Sequence, residues 1–462
     1  MALDKLVDST QLDADLTTVA NAIRTKGGTS ASLAFPSDFV TAIAAIPSGG
    51  GTSVEEKDVN FYDYDGSVVD SYSAVDFANL AALPANPSHT GLTAQGWNWT
   101  LSDAKTYVAS YGKLDIGHMY VTDDGKTRIH IKLEEGRLAP YLGIAVNGTV
   151  DIDWGDGTTH GSLTGTSLTT VKTLQHTYST AGEYTIVLNG GSISVLGYSN
   201  YTRLLCPQSS ATTFVNAYQA SVIWVQLGSN ATIGDSGFGY CRNMQYVTIP
   251  SSVNISNNNV FNYCQSLKHL TLPTSTTKTG NYLCYGCYSL TSVSIPKQVT
   301  DLGTSSAFND CRSLRRVIIP SGPTSIPASF VRECRSLKEL IMPNTVTSLG
   351  GSYVFSYCTS LKTIRLSSSL TSISSSAFEY CGGLANISIP SSVTSIGSYA
   401  FNTNTGLGII KFEGSSPPSL GNSSVFSSLR SDCKIYVPSA ALTAYTSASN
   451  YPSSGTYTYV GY

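Results

Sequence analysis

Across the C-terminal half, one order of apolar and polar positions recurs: Phe-x-x-Cys-x-x-Leu-x-x-Val-x-Ile-Pro. Its cysteines are Cys241, Cys264, Cys287, Cys311, Cys334, Cys358 and Cys381, with Asn404 in the next equivalent place, spaced 23 or 24 residues apart. Three residues after each comes Met or Leu, from Met244 to Leu407. Six after come Val247, Leu270, Val293, Val317, Leu340, Ile364, Ile387 and Ile410, and eight after come aliphatics ending at Phe412. The last two columns alternate with mostly polar residues, which predicts a short strand with one face buried. Pro250, Pro273, Pro296, Pro320, Pro343 and Pro390 end the strands, since proline donates nothing to a ladder. Degenerate units are read at Tyr198, Tyr201, Leu204 and Cys206, and again at Val222, Val225 and Leu227. One unit cannot bury its own apolar face. Stacking units about 4.7–4.9 Å apart gives a continuous core, a rod on the order of 45 Å long for nine or ten coils. The cysteines then line its inside as small, weakly hydrogen-bonding thiols.

The N-terminal half reads differently. Residues 9–25 predict a helix capped by Ser9 or Thr10, with Leu12, Leu16, Val19 and Ile23 as one apolar stripe, and residues 37–46 a second, short helix. Either this hairpin packs on itself, or its stripe oligomerises or docks on a particle. Pro47-Ser-Gly-Gly-Gly-Thr-Ser53 is a flexible linker. Val59 and Phe61 open a strand, with Tyr62 and Tyr64 on its other face, a turn at Asp65-Gly66 and a return strand from Val68. Residues 77–83 read as helical, and 116–195 as short strands separated by turns.

Composition narrows the function. Only 12% of the 462 residues are charged, about half the usual share, and the formal net charge of −3 offers no general attraction to nucleic acid or anionic membranes. No membrane-spanning run occurs, and the N-terminus lacks a secretory h-region, so synthesis in the cytoplasm and release by lysis are expected. The six histidines form no zinc motif, and phosphate-loop, dinucleotide and Gly-x-Ser-x-Gly signatures are missing. Neither an enzyme nor a cofactor is expected. Cys284 and Cys287 make a Cys-x-x-Cys, but Cys284 occupies the phenylalanine column, so register explains the spacing. Asp151, Asp153 and Asp156 are candidate calcium ligands, though no closing glutamate follows as in a calcium loop.

The strand face left to solvent supplies the candidate binding residues. Five and seven positions after each cysteine stand, among others, Tyr246, His269, Arg316 and Arg365. Arg312, Arg315, Arg316, Arg332, Arg335 and Lys338 make a local basic cluster. It is either a solvated face or a patch for an acidic glycan or a teichoic-acid-like phosphate polymer.

Several segments resemble known families. The repeats, such as Phe378-Glu-Tyr-Cys381-Gly-Gly-Leu384-Ala-Asn-Ile387-Ser-Ile389-Pro390, resemble BspA-type leucine-rich repeats over about 198–412, which implies an adhesin or binding scaffold. Cys433-Lys-Ile-Tyr-Val-Pro resembles the strand-and-helix cap of such arrays. Val150-Asp-Ile-Asp153-Trp154-Gly155-Asp156-Gly157 with His176-Thr-Tyr178 resembles a PKD-type immunoglobulin-like sandwich, and 58–99 an internalin-type B-repeat of β-grasp-like fold. Ala2-Leu-Asp-Lys-Leu-Val-Asp and Ala20-Asn-Ala-Ile-Arg-Thr-Lys-Gly-Gly resemble the N-termini of phage tail and other virion proteins. The expected chain is multidomain and mainly β. It comprises a helical virion anchor (1–47), a linker (48–57), a β-grasp-like module (58–112), a PKD-like sandwich (113–196), a solenoid (197–412) and a cap (413–462). The expected role is a non-catalytic virion-surface adhesin in a tail fibre, baseplate or head decoration. Its expected partners are other virion proteins, copies of itself (a trimer among the options) and a bacterial surface glycan or protein, with no nucleic acid and no membrane insertion. A bacterial cell-surface adhesin and a purely structural virion component are the alternatives.

Overall fold

The structure, a computed structural model, describes residues 56–196, 204–206 and 219–462. The expected N-terminal helices, with Leu12, Leu16, Val19 and Ile23, and the glycine linker lie outside the described residues. What is described is mainly β, with few helices and a C-terminal solenoid.

The first sheet begins with the hairpin of β1 (Val59–Tyr62) and β2 (Val68–Tyr72). With β3 (Leu92–Trp97) and β4 (Leu114–Thr122) it has the order β2-β1-β4-β3, and β1 runs parallel to β4. The helical segment read at 77–83 is corrected: the short helix α1 spans Ala74–Ala78, and residues 79–83 hold a turn and a bend. A longer helix, α2 (Leu101–Tyr111), has no counterpart in the sequence reading. It starts where the Thr100 hydroxyl accepts the Asp103 N–H and ends where Gly112 turns left-handed at φ +81°. Its face of Ala104, Tyr107 and Val108 packs with Phe61, Phe77, Trp97 and Trp99. Because β4 belongs to this sheet, the module continues to Thr122, past the boundary expected at 112.

β5 (Thr127–Leu133), β6 (Tyr141–Asp153), β7 (Gly161–Gln175) and β8 (Gly182–Val195) correct the expectation of a separate two-sheet sandwich. Among the described residues they form a single hydrogen-bonded path, in the order β5-β8-β6-β7. On its far edge β5 pairs antiparallel with Val222–Gln226, which pairs parallel with Tyr246–Thr248, the next solenoid strand. Ile129, Ile144, Ile152 and Ile186 accordingly belong to the same buried cluster as the solenoid core. The physical reason is the open end of a stacked array, whose apolar interior needs covering. The degenerate unit read near Cys206 is also corrected: Leu205–Cys206 pairs antiparallel with β6, so parallel stacking begins at Val222.

From there the repeat columns pair coil on coil in parallel, His269 with Ser292, Arg316 with Glu339 and Asn386 with Ile409. A second row of two-residue strands, Ser325–Ile326 to Ser419–Leu420, runs along the opposite side of the coils. Lys434–Val437 and Thr458–Gly461 extend the first ladder, with the helix Leu442–Ser447 between them. The cysteine column is fully buried, and from Cys264 to Cys381 each thiol donates to the carbonyl of the coil before: Cys264 Sγ to Phe238 O at 3.1 Å, Cys381 Sγ to Phe355 O at 3.0 Å. Cys311 donates to Cys284 O, which stands where the other coils mostly carry phenylalanine. Asn404 takes the thiol's part, its Nδ2 donating to Phe378 O at 2.9 Å.

Candidate binding surfaces

The strand face of the solenoid is divided. Over the strands from Tyr246 to Ile341 it is covered by the β1–β4 module. Asn98 stitches the two together: its Nδ2 donates to Leu272 O and Ser294 O, while its Oδ1 accepts from Gly117 N and the Ser294 hydroxyl. Trp99 Nε1 donates to Ile295 O at 2.9 Å, and the Tyr107 hydroxyl to Ile319 O. Gly117 is held so close that a Cβ there would stand 2.1 Å from Thr271 Oγ1. Ile318 is buried in the module's own apolar cluster, and Ile341 packs against it.

This docking corrects three of the candidate binding residues. Tyr246 and His269 are not open to a ligand: Tyr64 packs on Tyr246 with ring centres 4.8 Å apart, and Tyr62 stacks on His269 at 4.9 Å. His269 is 1% exposed and lies between the Ser292 and Thr271 hydroxyls. Burial pushes its imidazole down to about 4, so it is neutral near pH 7. Arg316 is a tether, gripping Asp115 through two nitrogens and donating to Lys57 O at 3.0 Å. The signal for the covering was present in the sequence. Ile318 and Ile341 put two aliphatics on a face that otherwise reads as solvent-exposed.

The rest of the basic cluster is mostly neutralised locally. Arg312 pairs with Asp310, Arg332 and Arg335 share Glu333, and Arg315 reaches Glu56 at 4.0 Å. Lys338 and Arg365 are exposed, Arg365 on the first coil beyond the module.

A second surface runs along the turns that precede the cysteines. Two positions in every such turn, one and five residues before the column, are left-handed. At these positions some coils carry Ser306, Ser329, Ser376, Asn259 or Gly286, residues suited to that backbone or small enough for it. Others carry tyrosine: Tyr282 at φ +54°, Tyr353 at +63°, Tyr380 at +60° and Tyr399 at +61°. These four tyrosines are among the few large apolar side chains exposed at all, from 37% to 45%. Arg312 lies 4.3 Å over the Tyr288 ring and Arg332 5.3 Å over Tyr353, while Tyr357 stacks on Tyr380 at 4.4 Å. This flank leaves a weak trace in the sequence, because its tyrosines are split between two columns and interspersed with small and acidic residues such as Ser306, Gly286 and Asp310.

The other chemistry is structural. Asp153 Oδ1 accepts Gly155 N, Asp156 holds Thr158 and His176, and Asp151 faces His160 at 2.9 Å, so these carboxylates serve the turn and its neighbours. Burial opposes it, but hydrogen bonds from Thr158 and His176 hold the Asp156 carboxyl down at about 2. Among the described residues no group of three or more His, Cys, Asp or Glu is placed to hold a metal ion. A cleft of about 870 Å³ beside β8 and the first turns is lined by hydroxyls and amides such as Thr232, Asn254 and Asn257, with Asp235 its one carboxylate among the described residues. No helix of the described residues is long and apolar enough to cross a membrane.

The family described as BspA type Leucine rich repeat region matches in six copies over residues 231–352 and 324–448. The chain carries BspA-type leucine-rich repeats. Solved structures similar to it include a leucine-rich repeat protein from Bacteroides ovatus, at 22% identity and a TM-score of 0.40 over 52% of this chain and 66% of that one. A leucine rich cell surface protein from Faecalibacterium prausnitzii matches at 23% identity and a TM-score of 0.26, over 43% of this chain and 69% of that one. A leucine-rich repeat protein from T. pallidum matches at 24% identity and a TM-score of 0.29, over 37% of this chain and 83% of that one. The chain thus spans just under two-thirds of the first of these. Among curated proteins nothing matches.

Proposed function

We propose that this chain is a non-catalytic virion-surface adhesin whose BspA-type repeats hold a bacterial surface through the tyrosine-bearing turns. The observation that carries the binding reading is exposure: Tyr282, Tyr353, Tyr380 and Tyr399 stand 37% to 45% exposed at turn positions where other coils carry residues such as Ser306, Ser329, Ser376, Asn259 or Gly286. Tyrosine there adds nothing to the core and leaves a rigid, amphipathic ring in solvent, the contact chemistry that paratopes use. The resemblance of residues 2–46 to virion N-termini supports the particle as its site, where many copies multiply weak contacts.

The test uses residues the coils already accept. Tyr353→Ser, Tyr399→Ser and Tyr380→Gly together are expected to leave the melting temperature within a few degrees, since serine already stands at the equivalent left-handed position of other coils and glycine relieves the backbone where the stack of Tyr357 on Tyr380 is lost. Binding of the labelled full chain to a panel of bacterial cells is expected to fall at least tenfold. Equal binding by the variant would overturn the tyrosine flank as the contact surface. Wild-type protein that stains none of the cells would leave a structural virion component as the better reading.

A further inference from the structure

The divided strand face has a charge pattern of its own. Upstream of the division several cations are committed, Arg316 to Asp115, Lys297 to Asp103 and Arg312 to Asp310, while Arg242 and Lys268 are exposed and stand apart from one another. From the last covered coil onward the pattern changes. Lys338, Lys362, Arg365, Lys411 and Lys434 are all exposed. Among the described residues no carboxylate lies within ion-pair distance of any of them, although Lys411 rests 4.5 Å over the Tyr462 ring.

Register places them on one strip. Arg365 stands beside Ile341, the last strand position the module covers, Lys411 pairs with Ser388 in the adjacent coil, and Lys434 pairs with Ile409. Lys338 and Lys362 lead into these strands from the same position of consecutive coils. Five cations therefore follow one another over four coil steps, roughly 19 Å at the spacing of paired strands. The nearby acids are Glu413, which accepts the Ser388 hydroxyl, Asp432, held by Arg430, and Glu339, held by Lys113. In a chain of net charge −3, this row of cations without ion pairs is a local departure from the overall balance, with Asp432 near enough to Lys434 to interact with its charge.

We infer that this open strip binds a linear polyol-phosphate polymer, its phosphodiesters along the cations and its hydroxyls at Thr363 and Asn386 between them. Four of the five cations are lysines, compact point charges that bind phosphate oxygens without needing a fixed two-point geometry, which suits a flexible phosphodiester chain. Strand side chains on a rigid ladder repeat at a fixed interval, which matches a regularly spaced polyanion. A nucleic acid strand fits less well, because single strands are held by stacking bases on aromatic faces. Here the Tyr462 ring is taken by Lys411 and Tyr436 is half-buried. The strip is separate from the tyrosine flank and adds a second contact to the adhesin reading.

The experiment measures binding of the full chain to immobilised poly(glycerol phosphate) across a salt series. Wild type is expected to bind with an affinity that falls steeply with salt. Lys362→Gln, Arg365→Gln and Lys411→Gln together are expected to weaken it at least tenfold. They are also expected to lower the log–log salt slope by about 2, at ~0.7 for each phosphate that is no longer neutralised. Arg312→Gln with Arg335→Gln, at paired positions, is expected to stay within twofold of wild type. No binding by wild type, an unchanged triple variant, or equal binding of oligothymidylate or polygalacturonate would each overturn the proposal. The tyrosine variant separates this from the adhesin reading: it keeps poly(glycerol phosphate) affinity if the strip acts alone, whatever happens on cells.

Discussion

Replacing Asp115 by Asn tests how the module is held on the solenoid. Asp115 is 2% exposed, and it receives Arg316 Nε at 3.0 Å together with a second guanidinium nitrogen and Asn60 Nδ2 at 3.1 Å. The substitution keeps the shape and removes the charge, so the Arg316 guanidinium, whose side chain is 13% exposed, is left buried without its counterion. Breaking one partner of such a pair is worth about 3–5 kcal/mol, because an uncompensated charge remains in a poorly solvated site. If that energy holds the docked state, opening becomes roughly two to four powers of ten more frequent. Hydrogen exchange reads it at Ser251 N–H and Asn344 N–H, whose acceptors Gln95 Oε1 and Tyr111 Oη lie on the module at 2.7 and 3.2 Å. Asp115→Leu combined with Arg316→Met removes both charges and is expected to recover most of the loss, as apolar replacements of buried pairs commonly do. Unchanged exchange in Asp115→Asn, or a double variant as open as the single one, refutes the reasoning.

Three more outcomes follow from the same packing. Gly117→Ala, which drives a methyl into Thr271, is expected to lower the stability of docking by about 1–3 kcal/mol, read as protease cleavage between β4 and β5 at lower enzyme concentration. The thiols of Cys284, Cys311, Cys358 and Cys381 are buried, and burial pushes them up, Cys381 to about 12. They are expected not to react with a thiol reagent until the protein unfolds, and added reductant is expected to leave the melting temperature unchanged. Burial also pushes His118 and His269 down to about 4 from an ordinary value near 6.5. The folded state thus binds fewer protons than the unfolded chain. Stability is therefore complete above about pH 6.5 and falls as the pH drops towards 4, by about 3 kcal/mol for each histidine. A melting temperature that stays flat between about pH 7 and 4.5 contradicts this, and His269→Asn is expected to flatten it in part.

The repeat was legible because its physics is periodic. Each coil must bury the same columns and close the same hydrogen bonds, so Cys241 to Cys381 and the aliphatics that follow recur every 23 or 24 residues. Asn404 fits by donating where a thiol donates elsewhere. The candidate surface was less legible. Tyr246, His269 and Arg316 sit in columns that look solvent-facing, and only packing against a segment some 200 residues earlier covers them. Such packing leaves little periodic trace beyond Ile318 and Ile341. The long strands β6, β7 and β8 show alternation whether they close a sandwich or end-cap a solenoid, and the pairing of β5 with Val222–Gln226 decides it.

The division of the strand face into a covered and an open part carries the functional account, and hydroxyl-radical footprinting of the intact protein measures it side chain by side chain. Tyr246, His269 and Tyr62 are expected to be protected, while Tyr353, Tyr380 and Tyr399, 37% to 45% exposed, are expected to be labelled several-fold faster than Tyr246. Labelling of Tyr246 and His269 as fast as Tyr399 would mean that the module does not cover the solenoid, and the assignment of its surfaces would have to be abandoned.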